Sequence, residues 1–254
     1  MTLPKSREAK KVNLDFNKEF ITTFTQNIEN RNVEFINQTL KDLHEADVAN
    51  LIENLNPDTR NKLIEIESFN IDPEIFIELN ESIQSEVLQL LSIDSLIKII
   101  KRLESDNAIK ILENLTKEVK EKVLEKLPPK DKFLLQEGLS YPEDSAARIM
   151  QREFTAVPSN WTVGQTIDYL RENKDLPEEF LEIFIVDNDF KPIGTVPSSR
   201  VLRTARDLKM NSIMREMPLL ISVNMDKEEV GLTFENYNLV SAGVVNKENK
   251  LVGM

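Results

Sequence analysis

A β-α-β-β order that occurs twice constrains this chain more than any single residue does. Ile149-Met150 leads into a short apolar strand at Thr155-Ala-Val157, a polar break, and an amphipathic helix opening at Trp161-Thr-Val-Gly-Gln165. Phe184-Ile-Val-Asp187 follows, then a turn and Pro192-Ile-Gly194. About sixty residues on, Ile213-Met214, Ile221-Ser-Val223, a helix from Asp226, Val244-Val-Asn246 and Leu251-Val-Gly253 repeat that order and spacing. A unit that recurs in this way identifies an architecture before any residue identifies a chemistry. Thr162 with Gln165 makes a capping box. Leu181 to Val186 reads as a strand, broken by the Asp187-Asn-Asp189 turn. Arg200 to Arg206 is expected to close the first copy as a short helix, and the second copy is incomplete.

From Val33 to Glu137 apolar residues recur at three- and four-residue intervals, the period of helices. Leu55-Asn-Pro-Asp leads to Leu63-Ile64, Leu79-Asn-Glu-Ser to Val87-Leu88, and Leu115-Thr-Lys-Glu to Val123-Leu124. In each, a leucine ends one helix, a capping residue opens the next, and a paired apolar step lies eight residues on. Short amphipathic helices with such tight joins cannot bury their stripes alone, so they stack into an all-α superhelical domain. Pro128-Pro129 opens a final helix to about Glu137, which Gly138 is expected to end. The expected organisation is a polar N-terminal segment over 1–32, a helical domain over 33–137, a linker and first copy over 138–206, and a second copy over 207–254. The fold class is therefore multidomain, α followed by α/β.

Composition excludes several functions. Net charge is −12, shared between the halves, so nucleic acid and anionic membrane surfaces are repelled and cations are the natural partners. Zero Cys removes disulfides and thiolate metal sites and fits a cytosolic chain. No apolar stretch approaches the length of a membrane span, and no basic-then-apolar leader is visible. The one His, His44, reads as a helix surface residue, and none of the six Gly forms a phosphate-cradling run. The chain is not read as an enzyme. Trp161 and Met150 read as packing residues.

The paired copies resemble a CBS-domain pair. Tyr141-Pro-Glu-Asp-Ser-Ala-Ala-Arg-Ile-Met150 before them, and the Leu-x-x-Asp-x-Ala-x-x-x-Leu-Glu-x-Leu run from Leu103 to Leu115, resemble the MgtE family of magnesium channels. The likeness covers roughly residues 36 to 254. It implies an all-α superhelical N domain followed by a tandem CBS-domain pair whose second motif stops early. The family continues with a further strand, a helix and five membrane helices. The chain is accordingly read as an excised soluble portion, with a natural truncated relative as the other reading.

The resemblance implies a cytoplasmic region that holds weakly bound, regulatory Mg²⁺ between acidic faces, dimerises through the CBS pair, and acts on a transmembrane pore domain absent from this chain. Mg²⁺ needs only one or two carboxylates per site because it keeps several waters. Two carboxylates about 6 Å apart at an effective dielectric near 20 repel by roughly 3 kcal/mol, so a cation that neutralises them holds a closed state. The metal candidates carried over are Asp106 and Glu228. The match is partial. The family's N-domain acid cluster reads Asp106-Asn107-Ala108-Ile109-Lys110, and family acids fall at Asn238 and Asn246. Many CBS pairs bind adenine nucleotides, but here Arg200 of Pro197-Ser-Ser-Arg200 stands where the ribose-binding aspartate should be, and Glu182 replaces the aromatic at the cleft. No nucleotide-binding residue is assigned. A nucleotide-sensing module and an interaction scaffold remain the alternatives to Mg²⁺ sensing.

Overall fold

The computed structural model describes residues 16–67, 72–177, 179–216 and 219–254. The first fifteen residues of the expected polar segment lie outside them. The chain divides into two compact units, 1–99 and 100–254, so the division falls within the helical region expected to run from 33 to 137.

The first unit contains α1 (Lys18–Glu29), α2 (Val33–Asp42), α3 (Glu45–Asn54), α4 (Pro57–Glu67), α5 (Pro73–Glu78), α6 (Glu81–Leu90) and most of α7 (Ile93–Ile100). Helix α1 occupies ground read as a polar terminus. Its apolar stripe is sparse but has helical spacing: Phe20, Phe24 and Ile28 recur at four-residue intervals, and Phe24 and Ile28 are buried. The helix-ending leucines are twelve residues apart from Leu43 to Leu55 and again through Leu79, Leu91, Leu103, Leu115 and Leu127, with one double step of twenty-four between Leu55 and Leu79, where Glu67 holds the intermediate position. The reason is arithmetic. A ten-residue helix such as α2, α3 or α6 plus one extended leucine and one capping residue makes twelve. Leu55, Leu79 and Leu115 are buried, as are the paired steps Leu63-Ile64, Val87-Leu88 and Val123-Leu124. Asn56 and Asn80 cap α4 and α6 through their side-chain oxygens. His44 is the N-cap of α3, its ring Nδ1 accepting the Ala46 amide at 3.2 Å.

Position four after each of these Asn caps is polar and buried. Arg60 in α4 donates from Nε to the Ile52 carbonyl at 3.1 Å and from Nη2 to the Leu55 carbonyl at 2.9 Å, while Nη1 pairs with Glu86 at 2.7 Å. Gln84 in α6 donates to the Phe76 carbonyl at 2.6 Å. Both serve carbonyls where the preceding helix ends: Leu55 and Phe76 gain a donor, and Ile52, which already accepts the Leu55 amide at 3.3 Å, gains a second.

The second unit begins with α8 (Ser105–Glu113), α9 (Lys117–Lys126), α10 (Pro129–Ser140) and α11 (Ala146–Ile149). Gly138 does not end α10. It lies buried inside the helix, facing the side chains of Ile109 and Arg152 so closely that a Cβ has no room; the helix stops before Pro142 instead. Next come β1 (Ala156–Pro158), α12 (Val163–Glu172), β2 (Glu182–Val186), β3 (Pro192–Pro197), α13 (Ser198–Arg203), α14 (Met210–Ile213) and β4 (Arg215–Glu216). The chain then gives β5 (Leu220–Ser222), α15 (Lys227–Tyr237), β6 (Gly243–Val245) and β7 (Leu251–Gly253). Strand β1 pairs parallel with β2, and β2 antiparallel with β3. The second sheet repeats this, with β5 parallel to β6 and β6 antiparallel to β7.

The repetition extends to single hydrogen bonds. Asp187 Oδ1 accepts the amides of Asp189 and Lys191, and Asn246 Oδ1 accepts those of Glu248 and Lys250. The fourth residue of each turn, Phe190 or Asn249, is left-handed at φ 65° and 59°. Asp187→Ala is expected to cost about 1–2 kcal/mol by leaving two turn amides without their acceptor, whereas Asp187→Asn is nearly neutral because the second copy already uses Asn. Urea unfolding followed by the fluorescence of Trp161 checks both.

The linkers cross over. Ala146, Ala147 and Met150, which precede the first copy in the chain, pack with Ile221, Val223, Ala242 and Val244 of the second. Met210, Ile213 and Met214, which precede the second copy, pack with Val157, Val163, Ile183 and Ile185 of the first. Each linker also pairs with the opposite helix start, Ser145 with Asp226 and Lys209 with Thr162.

Candidate functional site

The densest polar arrangement around a sequence-derived candidate lies at the start of α8. Its N-cap residue, Glu104, makes no side-chain cap hydrogen bond. Glu153, forty-eight residues away, takes that place: its Oε2 accepts the Ser105 amide at 3.2 Å and the Ser105 hydroxyl at 2.7 Å. Ser105 Oγ in turn accepts the Arg152 amide at 2.9 Å. The Arg152 guanidinium reaches the Ala147 carbonyl at 3.0 Å. Burial pushes it down, and the charges of Glu137, Tyr141, Glu153 and Asp106 pull it back up. Close by, Arg148 pairs through Nε with Glu113 at 2.6 Å and donates to the Gly138 carbonyl at 3.0 Å.

Asp106 occupies the first turn of α8 beside this knot. Burial pushes its carboxyl above the ordinary carboxylate range, and the Glu153 charge adds to the rise. Amide donation by Asn107 and Asp106 itself and the charge of Arg152 oppose it. Its buried Oδ1 has no hydrogen-bond partner. A half-buried carboxylate with an unused oxygen beside a second carboxylate suits a hard cation, which takes oxygen ligands and brings its own waters.

Glu228 lies elsewhere. It is exposed in the first turn of α15, its amide bonded to the Asp226 cap at 2.8 Å and its neighbour Lys227 paired with Asp144 at 2.5 Å. No hydrogen bond or ion pair joins Asp106 to Glu228, and no group of three or more His, Asp or Glu able to hold a metal forms among the described residues. Neither candidate belongs to a cluster of three or more such side chains.

The departures from the family pattern have structural roles of their own. Asn238 ends α15 in the left-handed region, at φ 49°, a conformation that asparagine tolerates better than most residues. Asn246 builds its turn. Arg200 donates to the Ile213 carbonyl at 2.9 Å, and Ser198 Oγ lies 3.0 Å from the carbonyls of Phe180 and Leu181. Glu182 accepts from the Ser241 hydroxyl at 3.0 Å. Ser105, Arg152 and Glu153 carry no local signal in the sequence, because their meeting depends on a contact across almost fifty residues and on an irregular segment without periodicity.

Comparison with known proteins agrees with this layout. Residues 43–144 match the family of the MgtE intracellular N domain and residues 146–207 the CBS domain. The magnesium transporter MgtE of Enterococcus faecalis is 24% identical over 120 residues, 47% of this chain and 26% of that protein. The MgtE of Thermus thermophilus is 26% identical over 114 residues, 45% of this chain and 25% of its own. The chain thus matches about a quarter of the length of these relatives. Among solved structures, the cytosolic domain of the Mg²⁺ channel MgtE in complex with ATP superposes with a TM-score of 0.82 at 22% identity, covering 92% of this chain and 95% of that one. The soluble part of a magnesium transporter gives 0.77 at 20% identity, with 92% and 93% covered. No helix among the described residues is long and apolar enough to cross a membrane.

Proposed function

We propose that this chain, whose residues 43–144 match the MgtE intracellular N domain and 146–207 the CBS domain, is the cytosolic Mg²⁺-responsive gating region of an MgtE-like magnesium transporter. The observation that carries the reading is the joint presence of both domains, in this order, in one fold that covers nearly all of an MgtE cytosolic domain. The region has no catalytic role, dimerises through its CBS pair, and acts on the pore domain of the same transporter at the cytoplasmic face of the membrane. Asp106 and Glu228 contribute carboxylates to separate, water-rich Mg²⁺ sites. Cation binding holds the compact state by compensating the Asp106 carboxylate, whose charge is disfavoured first by burial and further by Glu153.

Nucleotide sensing has less support. A neighbour of the same fold was solved with ATP, but here Arg200 and Ser198 are engaged with main-chain carbonyls.

The sign of the electrostatics makes the reading testable. Because the folded carboxyl of Asp106 is raised, the fold loses stability as pH climbs from the ordinary carboxylate range through that raised value. At pH 7 without metal, Asp106→Asn should therefore melt higher than the unaltered chain. Addition of Mg²⁺ to about 20 mM, on the scale of weak sites, should raise the melting temperature of the unaltered chain and shrink its scattering radius. Asp106→Asn should respond less. Identical melting and scattering profiles with and without Mg²⁺ would remove metal sensing from the function.

A further inference from the structure

Helix α8 lacks what its neighbours have. α3, α6 and α9 each open with a side chain that caps their own first turn, whereas Glu104 supplies no such bond to α8, nor Pro128 to α10, and of these two only α8 has a first-turn amide taken by a carboxylate from the linker. The first N–H groups of a helix have no partner within it, and at α8 one is taken by Glu153 from the segment leading into β1. We infer that α8 has a conditional start: Glu153 caps it in trans, and its first turn is ordered only while the 150–154 segment lies against it.

Three observations support the assignment. Two consecutive linker residues grip one serine from both sides, Arg152 donating to Ser105 Oγ and Glu153 accepting from it, so displacement of the linker breaks the whole set. Ser105 is buried, 4% exposed, so both of its bonds to the linker lie inside the fold. A cavity of about 140 Å³ borders both Ser105 and Glu153, lined also by Asp131 and Leu134, which leaves the carboxylate room to swing away. Asp106 belongs to the same turn, so a shift of the linker is passed to that carboxylate through helix order rather than through direct contact. No metal enters this inference, and its failure is separable from failure of the Mg²⁺ reading.

Hydrogen exchange on the full chain, in metal-free buffer containing chelator, tests it. In Glu153→Ala, peptides covering 104–110 are expected to exchange about five- to thirtyfold faster, the ratio that loss of a helix cap gives. Peptides from α9 and from 156–223 are expected to be unchanged. Adding Glu104→Ser to that variant gives α8 a cap of its own and should restore the slow exchange. The inference is overturned if Glu153→Ala leaves 104–110 unchanged, if exchange accelerates equally across 156–223, or if Glu104→Ser brings no recovery.

Discussion

Arg60→Met is expected to lower the unfolding free energy of the first unit by about 3 kcal/mol, and Arg60→Lys by nearly as much. The side chain is 5% exposed and serves the carbonyls of Ile52 and Leu55 and the carboxylate of Glu86, with the Glu53 carbonyl a longer fourth acceptor at 3.5 Å. Methionine fills the volume but leaves the buried Leu55 carbonyl without its donor and the Ile52 carbonyl with only the Leu55 amide. An ammonium cannot replace a planar fork that spans acceptors on two helices. Glu86 is partly exposed and can return to water, which keeps the cost below that of a stranded buried charge. Hydrogen exchange of peptides from α3 to α6 during urea unfolding reports the loss, while the fluorescence of Trp161, the sole tryptophan and a residue of the second unit, should keep its midpoint. Parallel shifts in both signals would mean that Arg60 does not act within its own unit.

Phe184→Ala is expected to destabilise the CBS pair by about 3–5 kcal/mol, and Phe184→Leu by roughly 1–2 kcal/mol. Phe184 is 1% exposed on β2. It clusters with Val186 of its own strand and Leu251 of β7, so one ring ties the first sheet to the second. Its edge-to-face contact with Phe154, with centroids 6.2 Å apart, adds a preferred geometry to the apolar burial. Here the reporter is reversed: the Trp161 fluorescence midpoint should fall, and hydrogen exchange of peptides from α3 to α6 should be unchanged. An alanine variant within 1 kcal/mol of the parent would show that the two sheets do not depend on this cluster.

Much of the fold was legible in the residues. The Leu-cap-apolar pattern placed three helix starts, because capping needs a side-chain oxygen at one position and burial needs apolar residues at a helical interval. The Thr162 and Gln165 capping box is present on both sides. Arg200 read as a departure from the nucleotide pattern, and its side chain indeed serves a main-chain carbonyl. Gly138 read as a helix end by composition, yet its missing Cβ makes room for Arg152 and Ile109. The α1 helix was hidden among Thr and Asn because its stripe is only three or four aromatics and aliphatics wide.

The candidate site was half legible. Asp106 and Glu228 came from a family position, which says that a carboxylate stands there and nothing of what surrounds it. The raised carboxyl of Asp106 depends on Glu153 and Arg152, and neither has a spacing that ties it to α8.

Sequence alone therefore determined what is periodic and local: helical steps that run from leucine to cap to paired apolar residues, two β-α-β-β copies, and acids in place of thiols or histidines. Tertiary structure alone decided which linker packs on which copy, what caps α8, and which charges meet Asp106. The reason is range. Helix and strand periods express the geometry of adjacent residues, whereas a crossed linker or a trans cap arises from burial and hydrogen-bond satisfaction between segments about fifty to eighty residues apart, and these leave no period behind.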